Sequence, residues 1–286
     1  MFAKAYLEIT NRCNLHCAFC PGSRRAPRML SPEEFRQLAG KLRPYTDYLY
    51  LHVMGEPLLH PQLGELMDIA RELGFRVVLT TNGTLLERQR ETLLTRSSAI
   101  YKISISLHSY EANREAGTLL DYVDRCIAFQ KDAGTAGIIT VLRLWNLDSE
   151  RLSGCNIRNE EILRRLHEAF PGEWKNVRGG PKMAPNCYLE WGERFAWPSP
   201  DAPDYGERRF CMALRDQIGV LCDGTVVPCC LDGDGALALG NLFTQSLEEI
   251  LQKERAKRIY NGFSRRTAVE ELCRKCDYAL RFQINE

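Results

Sequence analysis

The sequence predicts an α/β fold: an open, partial (β/α)6 barrel followed by a small cysteine-rich segment with a β-hairpin and a helix. Over about the first 196 residues, apolar β-prone runs alternate with amphipathic helical patterns, which is typical of βαβ units around a parallel sheet. Six such units are too few to close an eight-stranded barrel. Beyond that point the alternation ends, and turn signals and closely spaced cysteines replace it.

The βα units follow one another along the first part of the chain. Ser31 marks the start of a helix, because an N-cap serine is followed by Pro32 and by two acids in the first turn. The next helical pattern stops at Gly74. Strands are predicted at residues 5–10, 48–53, 76–80, 101–107, 138–144 and, with a weaker pattern, 187–191. Helices are predicted from residue 31 and at 63–73, 84–96, 118–133 and 159–169.

The remaining segment differs from the barrel segment in composition and in its predicted elements. Residues 197–206 are rich in proline and acids and are typical of a linker. The runs 218–221 and 225–228 flank Asp223-Gly224, a dipeptide that favours a hairpin turn. A helix is predicted at 246–260, and a cysteine pair follows it. We therefore expect two domains, a barrel over residues 1–196 and a cysteine-rich domain over 197–286.

Composition and charge exclude several functional classes. The 286 residues hold 38 Lys and Arg against 37 Asp and Glu, a net charge of +1, which gives no electrostatic basis for binding nucleic acid. No apolar run approaches the ~18 residues of a transmembrane helix, and the first ten residues lack the apolar core of a signal peptide. We therefore expect a cytoplasmic protein with neither a membrane nor a nucleic-acid partner.

The placement of the cysteines carries most of the functional information. Twelve cysteines are too few for a disulfide scaffold of this length, and in a reducing compartment clustered thiols favour metal ligation. Outside the two clusters, Cys126 and Cys155 are expected to act as small apolar side chains. Cys187, at the start of the sixth strand, is a candidate to face the barrel interior.

The first cluster is the run Cys13-Asn-Leu-His-Cys17-Ala-Phe-Cys20, directly after the first strand. In α/β barrels the loops at the carboxyl ends of the strands hold the chemistry. Three thiolates on one loop can hold three corners of a 4Fe-4S cluster and leave the fourth iron open to another ligand. A zinc site with His16 as its fourth ligand is the competing interpretation.

The spacing Cys-x3-Cys-x2-Cys, with Phe19 before the last cysteine, resembles the signature of the radical S-adenosylmethionine (SAM) enzymes. The segment Met54-Gly55-Glu56-Pro57 follows the second strand and is similar to the Gly-Gly-Glu-Pro segment of that family, although methionine stands in place of the first glycine. The resemblance implies that Gly55, Glu56 and Pro57 bind the amino group of SAM through the backbone.

Further residues at strand ends extend the resemblance over the first 195 residues or so. Asn82 lies in Thr80-Thr-Asn-Gly83 after the third strand, and Ser104 and Ser106 lie near the end of the fourth. Arg143 lies late in the fifth strand. The resemblance implies that Ser104, Ser106, Arg143 and Asn82 contact SAM. Each also has a structural interpretation, as sheet residues for the serines, an ion-pair partner for Arg143 and a turn residue for Asn82.

Membership of this family implies a defined chemistry. SAM, held on the open iron of the first cluster, is cleaved reductively to a 5′-deoxyadenosyl radical, which abstracts a hydrogen atom from the substrate. An external reductant such as flavodoxin or ferredoxin supplies the electron. The protein's part is to hold the radical against one hydrogen of the substrate and to exclude solvent.

The second cluster of cysteines resembles the SPASM/Twitch extension of radical SAM enzymes. That extension places a cysteine before a hairpin with Asp-Gly at its tip, then Pro-Cys-Cys and a late Cys-x2-Cys. The resemblance implies a second, auxiliary 4Fe-4S cluster held by Cys211, Cys229, Cys273 and Cys276. Cys230 is expected to point away from Cys229, and Cys222 to be a bystander. A structural zinc ribbon on the same four thiols is the alternative.

Two clusters together favour an oxidative reaction, because a substrate radical must pass an electron to an acceptor. We expect dehydrogenation of a small molecule, as in aminocyclitol dehydrogenases that resemble this cysteine layout. The alternative is a maturase of a ribosomally made peptide, forming a thioether or another crosslink or an epimer. Many such maturases carry an N-terminal recognition domain, and we expect none here, because the first predicted strand begins near residue 4. A non-catalytic iron–sulfur or zinc scaffold or electron carrier is the alternative of another class.

Overall fold

The predicted βα units are present in sequence order. The structure is a computed structural model, and it describes residues 1–112, 117–150, 152–154, 156–177 and 179–282. In these ranges the strands are β1 (Lys4–Leu7), β2 (Tyr48–Tyr50), β3 (Arg76–Thr81), β4 (Ile100–Ser106), β5 (Ile139–Leu147), β6 (Lys175–Val177), β7 (Gly180–Ala184), β8 (Cys187–Glu193), β9 (Gln217–Val220), β10 (Thr225–Val227) and β11 (Gly240–Asn241). The α-helices are α1 (Pro32–Leu42), α2 (Leu63–Glu72), α3 (Leu86–Leu94), α4 (Leu119–Thr135), α5 (Asn159–Ala169), α6 (Leu247–Gln252), α7 (Glu254–Ser264) and α8 (Glu271–Arg274).

Six parallel strands, in the order β1-β2-β3-β4-β5-β8, form the curved sheet of a partial barrel. The α/β partial-barrel prediction is therefore confirmed. The sequence did not predict β6 and β7, an antiparallel hairpin that extends the sheet beyond β8. Every residue of β6 is exposed at the sheet edge, so this strand lacks the alternation of buried and exposed residues that marks a strand.

Local signals set most helix boundaries. Ser31 caps α1 through a capping box with Glu34, as its side chain accepts from the Glu34 N–H and the Glu34 carboxylate accepts from the Ser31 N–H. The helix predicted at 159–169 matches α5. The helix predicted at 246–260 is instead two helices, because Lys253 between them is extended. The Lys253 ammonium donates to the Leu239 carbonyl and to Gln245 Oε1, and these contacts hold the break against β11.

The hairpin of the C-terminal segment continues the barrel sheet. β10 pairs antiparallel with β9, as the Asp223-Gly224 turn predicted, and β9 lies parallel to β1 over its full length. One sheet thus runs through both proposed segments, and the division into 1–196 and 197–286 remains a prediction. The main apolar core lies between this sheet and its helices.

Side-chain alternation separates the core face of the sheet from the barrel interior. On β4, Ile103 and Ile105 are fully buried in the main core against the helices. Lys102, Ser104 and Ser106 alternate with them and therefore face the interior of the barrel. Within the described ranges, no helix is both long enough and apolar enough to span a membrane.

A buried ion pair joins the barrel to the C-terminal segment. Glu8, just after β1, is 0% exposed, and both of its carboxylate oxygens accept from the Arg25 guanidinium at 2.7 Å. The same carboxylate accepts from the backbone N–H of Met54 at 3.1 Å and of Cys222 at 3.0 Å. Arg25 also donates to the Gly233 carbonyl. One carboxylate thus connects the loop after β2, the hairpin and the loop that contains the first cysteines.

We expect Glu8→Gln to lower the free energy of unfolding by about 3–5 kcal/mol, because it leaves the buried Arg25 guanidinium without its counter-ion. Urea denaturation followed by circular dichroism measures the loss. The matched control is Glu72→Gln, which removes an exposed ion pair with Arg36 and should cost less than about 1 kcal/mol. Equal losses in the two variants would contradict the central role of Glu8.

Candidate active site

The first three cysteines lie together on the loop after β1. The loop is fixed at its base, since Asn11 Nδ2 donates to the Ala26 carbonyl and Asn11 Oδ1 accepts from the Arg28 N–H. Burial, with smaller contributions from the neighbouring Cys13 and Cys20 thiols, raises the pKa of Cys17 to about 11. These mutual effects place the three thiols in one donor set.

The donor set fits three corners of an iron–sulfur cluster, since thiolates are the ligands that such clusters use. Cys13 and Cys20 are exposed and Cys17 is half-buried, so the thiols open to the surface of the loop. Within the described ranges, no three His, Cys, Asp or Glu side chains are grouped closely enough to hold a single metal ion. Ligation of a cluster by these three cysteines remains a prediction.

The loop after β2 packs tightly on the cysteine loop. Gly55 has φ +76°, and a Cβ at this position would lie 2.4 Å from the Thr10 carbonyl oxygen and 2.8 Å from that of Arg12. Only glycine fits this approach. Met54, which replaces the first glycine of the family segment, is buried and packs against Gly233 of the C-terminal segment. The departure from the family pattern thus provides a contact between the two segments.

Glu56 is buried and makes hydrogen bonds through both its backbone and its carboxylate. It is 2% exposed, its N–H donates to the Arg12 carbonyl at 2.8 Å, and its carboxylate accepts from the N–H groups of Leu58 at 3.0 Å and Asn82 at 2.7 Å. Burial raises the pKa of Glu56 to about 7, although the two N–H donors oppose the shift. The side chain therefore ties the loop after β2 to the end of β3.

Asn82 connects the end of β3 to the cysteine loop. Its Nδ2 donates to Asn14 Oδ1 at 3.0 Å and lies 4.0 Å from Cys13 Sγ. Its Oδ1 accepts from the backbone and the side chain of Thr84, so the turn interpretation of this residue also has support. Asn82 is thus close enough to the first thiol to share a ligand bound there.

Ser104, Ser106 and Arg143 lie near one another inside the barrel. Ser106 and Arg143 are register partners on β4 and β5. Ser104 is 0% exposed, and its Oγ has no hydrogen-bond partner. Arg143 Nε lies 3.5 Å from Glu190 Oε2, an ion pair without hydrogen-bond geometry, and the guanidinium lies 4.8 Å from the centre of the Trp145 ring. The structure thus supports an ion-pair interpretation of Arg143 and leaves the Ser104 hydroxyl available to a ligand.

An aromatic contact that was not predicted from the sequence lies between the cysteine loop and β5. The Phe19 ring lies 4.8 Å from the His108 ring, and His108 Nδ1 lies 3.2 Å from the Arg143 carbonyl oxygen. Burial lowers the pKa of His108 to about 4, so this imidazole is neutral at physiological pH. The pair forms an apolar wall beside the cysteine loop.

The four cysteines of the C-terminal segment form a second donor set. Burial and the neighbouring thiols Cys211, Cys273 and Cys276 raise the pKa of Cys229. Burial raises the pKa of Cys276 to about 12, and Cys211 also contributes. The structure therefore brings all four predicted residues together from the start of the hairpin, its end and the α8 region. Four thiols match a fully ligated cluster, and this role remains a prediction.

The other cysteines lie outside both sets. Cys230 follows β10 in a bend rather than on a strand, and it faces the interior with its thiol against Tyr6 and Gln217. Cys222 is buried beside Arg25. Cys187 pairs in register with Thr140 and packs in the helix-side core, so the expectation that it faces the interior is wrong. Cys126 is buried in the same core, and Cys155 lies outside the described residues.

Comparisons with known proteins match two parts of the chain to family models. Residues 7–143 match the family model of the radical SAM superfamily, and residues 211–277 match the SPASM iron–sulfur cluster-binding domain. Fe-coproporphyrin III synthase of Methanosarcina barkeri is 35% identical over 103 residues, 35% of this chain and 26% of that protein. The subtilosin biosynthesis protein AlbA of Bacillus subtilis is 33% identical over 107 residues, 37% of this chain and 24% of that protein.

The aligned parts thus span about a quarter of these two curated relatives. A solved structure, BtrN in complex with AdoMet and 2-DOIA, superposes with a TM-score of 0.58 at 18% identity and covers 97% of this chain and 93% of that one. Similarity at this level of identity supports the fold.

We expect Gly55→Ala to separate the loop after β2 from the cysteine loop, because the added methyl group cannot fit against the Thr10 and Arg12 carbonyls. The variant should lose about 2 kcal/mol or more of unfolding free energy and bind less iron at the first site. Urea denaturation and iron analysis of the reconstituted protein measure both effects. Gly137→Ala is the control, since Gly137 also has positive φ but nothing within 4 Å of a Cβ. Equal losses of stability and of iron in the two variants would show that they arise from backbone strain at positive φ and not from the contact with the Thr10 and Arg12 carbonyls.

Proposed function

The chain belongs to the radical SAM superfamily and carries a SPASM iron–sulfur extension, and from this premise we propose that it oxidises a small molecule by radical SAM chemistry. In the proposal, Cys13, Cys17 and Cys20 hold a first 4Fe-4S cluster. Cys211, Cys229, Cys273 and Cys276 hold a second, auxiliary cluster. The observation that carries the proposal is that separate sets of three and four thiols flank one barrel.

When bound, the first cluster supplies the electron that cleaves SAM to methionine and a 5′-deoxyadenosyl radical, and the second accepts an electron from the substrate. The residues of this chain position the reactants. Gly55, Glu56 and Pro57 shape the rim beside the cysteine loop. Ser104 presents its unpartnered hydroxyl to the interior, and the Arg143 guanidinium lies there beside Glu190. The predicted SAM contacts are Gly55, Glu56, Pro57, Asn82, Ser104, Ser106 and Arg143.

The net reaction favoured here is the oxidation of a secondary alcohol to a ketone. The hydrogen on the carbon leaves as a hydrogen atom that forms 5′-deoxyadenosine, the hydroxyl hydrogen leaves as a proton, and the remaining substrate radical gives up one electron to the auxiliary cluster. A flavodoxin- or ferredoxin-type reductant supplies the electron for SAM cleavage. Exposed thiols of the first set need a reducing compartment, so the proposed location is the cytoplasm.

A peptide maturase is the second candidate function. Its support is the match to AlbA, whose name assigns it to biosynthesis of the bacteriocin subtilosin. The matched part lies within about a third of this chain, so the candidate depends on the barrel rather than on a shared recognition region. The two functions predict different substrates for the same radical chemistry.

We expect the anaerobically reconstituted protein to contain about eight irons and eight sulfides per chain, and its Cys13/Cys17/Cys20→Ala variant to contain about four. Metal and sulfide analysis, with zinc measured in parallel, gives the counts. Matched results would support two four-iron clusters, one of them on the first loop. About four irons plus one zinc in the wild type would make the C-terminal thiols a zinc site and would remove the electron acceptor that dehydrogenation needs.

We expect Arg143→Ala to lower the rate of SAM cleavage by dithionite-reduced protein at least tenfold, because a charge-assisted hydrogen bond to the SAM carboxylate would be lost. Chromatographic measurement of 5′-deoxyadenosine gives the rate. Arg88→Ala, at an exposed position of α3, controls for the loss of one positive charge. An unchanged rate in Arg143→Ala would leave this side chain only its ion pair with Glu190.

A further inference from the structure

Two polar residues inside the barrel have no part in the proposed cluster or SAM sites. Lys102 lies on β4, where it pairs in register with Val78 on β3, and Val78 pairs with Tyr50 on β2. His52 lies two residues beyond Tyr50, and its ring contacts those of both Tyr6 and Tyr50 edge-on. The two side chains thus face the same interior space, between tyrosine rings on one side and Ser104 on the other.

The polar atoms of these residues have no partners in the protein. His52 Nδ1 is buried and makes no hydrogen bond. Lys102 is half-buried, and within the described part of the chain its ammonium makes neither a hydrogen bond nor an ion pair. Buried polar groups in native proteins are satisfied in the great majority of cases, so the buried His52 Nδ1 indicates that something else binds there. The Lys102 ammonium is not itself fully buried, so it is accessible to the same ligand.

The charge balance of the interior shows which kind of ligand fits. Burial, and next the Arg143 charge, lower the pKa of Lys102, whereas Glu190 opposes them. Glu190, however, is 3.5 Å from Arg143 and is already paired with it. Glu8, another buried acid, is neutralised by Arg25. Within the described ranges, the Lys102 ammonium therefore has no ion-pair partner.

His52 contributes hydrogen bonding rather than charge. Burial, with Arg143 and Lys102 nearby, lowers the pKa of His52 to about 3, so the imidazole is neutral at physiological pH. A neutral imidazole that carries its proton on Nδ1 donates one hydrogen bond. One uncompensated cation beside one neutral donor matches a single negative charge with two acceptor oxygens.

We propose that the barrel interior anchors the substrate through a carboxylate, which pairs with Lys102 and accepts a hydrogen bond from His52. The proposal rests on the proposed function, because it takes the barrel interior as the substrate site. It narrows the substrate class to an acid. The carboxylate belongs either to a small organic acid or to an acidic side chain of a peptide, and the test distinguishes the two.

Binding to the reconstituted full-length protein is measured by isothermal titration calorimetry with two pairs of probes. Benzoate is compared with benzamide, and an acetylated, amidated Gly-Glu-Gly peptide is compared with its Gly-Gln-Gly counterpart. We expect at least one acid to bind ten times or more tightly than its neutral twin. That preference should disappear in Lys102→Met and weaken in His52→Phe, whereas Lys257→Met, on the exposed face of α7, should retain it.

Preference for benzoate alone supports a small acid, and preference for the Glu peptide alone supports a peptide. Equal binding of acid and amide in the wild type, or an acid preference that survives in Lys102→Met, overturns the proposal. SAM cleavage by the wild type without any probe is measured in parallel. Its absence would contradict the proposed function and leave the acid preference standing, so the two failures are distinguishable.

Thermal unfolding distinguishes two roles for Lys102, binding of a ligand and stabilisation of the fold. Lys102→Met removes a desolvated, unpaired ammonium and keeps the length of the side chain, so its Tm without ligand should equal or exceed that of the wild type. A Tm several degrees lower would mean that Lys102 supports the fold, and it would overturn the assignment of this side chain as a ligand anchor.

Discussion

The buried carboxylate of Glu8 is the constraint on which the arrangement of the site depends. A charge removed from water is tolerated only when it is paired and its remaining lone pairs are satisfied. Glu8 meets this condition with Arg25 and with the N–H groups of Met54 and Cys222. These partners lie on three separate segments, so satisfying one carboxylate fixes the cysteine loop, the loop after β2 and the hairpin relative to one another. The parallel pairing of β9 with β1 extends the same connection through the backbone.

Features with local signals could be predicted from the sequence, and features that depend on distant contacts could not. The capping box at Ser31 and the Asp223-Gly224 turn each act within a few residues, so their chemistry is visible in the chain itself. The helix break at Lys253 has no local cause, because it depends on contacts with Leu239 and Gln245. The ion pair of Glu8 with Arg25 gave no signal either, since a strand acid and a loop arginine are ordinary until folding buries them.

The candidate site shows the same distinction between local signals and distant contacts. The Cys-x3-Cys-x2-Cys and Cys-x2-Cys spacings are local properties, so the sequence could group these thiols, and their roles as cluster ligands remain predictions. The roles of Glu56 and Arg143 could not be resolved in this way, because each satisfies both interpretations that the sequence allowed. Glu56 holds the end of β3 through the Asn82 N–H, and Arg143 pairs with Glu190 through its Nε, which makes no hydrogen bond. A structural contact does not prevent ligand binding at such a position, because an arginine that one protein group holds in place is already oriented to bind a ligand.

The difference between Glu8 and Lys102 indicates that the barrel interior binds a charged ligand. Both side chains extend from barrel strands or their ends towards the inside, where the Glu8 carboxylate is fully buried and the Lys102 side chain is half-buried. The chain surrounds Glu8 with donors and a counter-ion, which shows that this fold can satisfy a buried charge when stability alone is at stake. It supplies neither to Lys102, although Glu190 is near enough to influence it. An uncompensated charge costs stability, and a ligand of opposite charge recovers that cost when it binds. The missing partner of Lys102 is therefore best sought in the substrate.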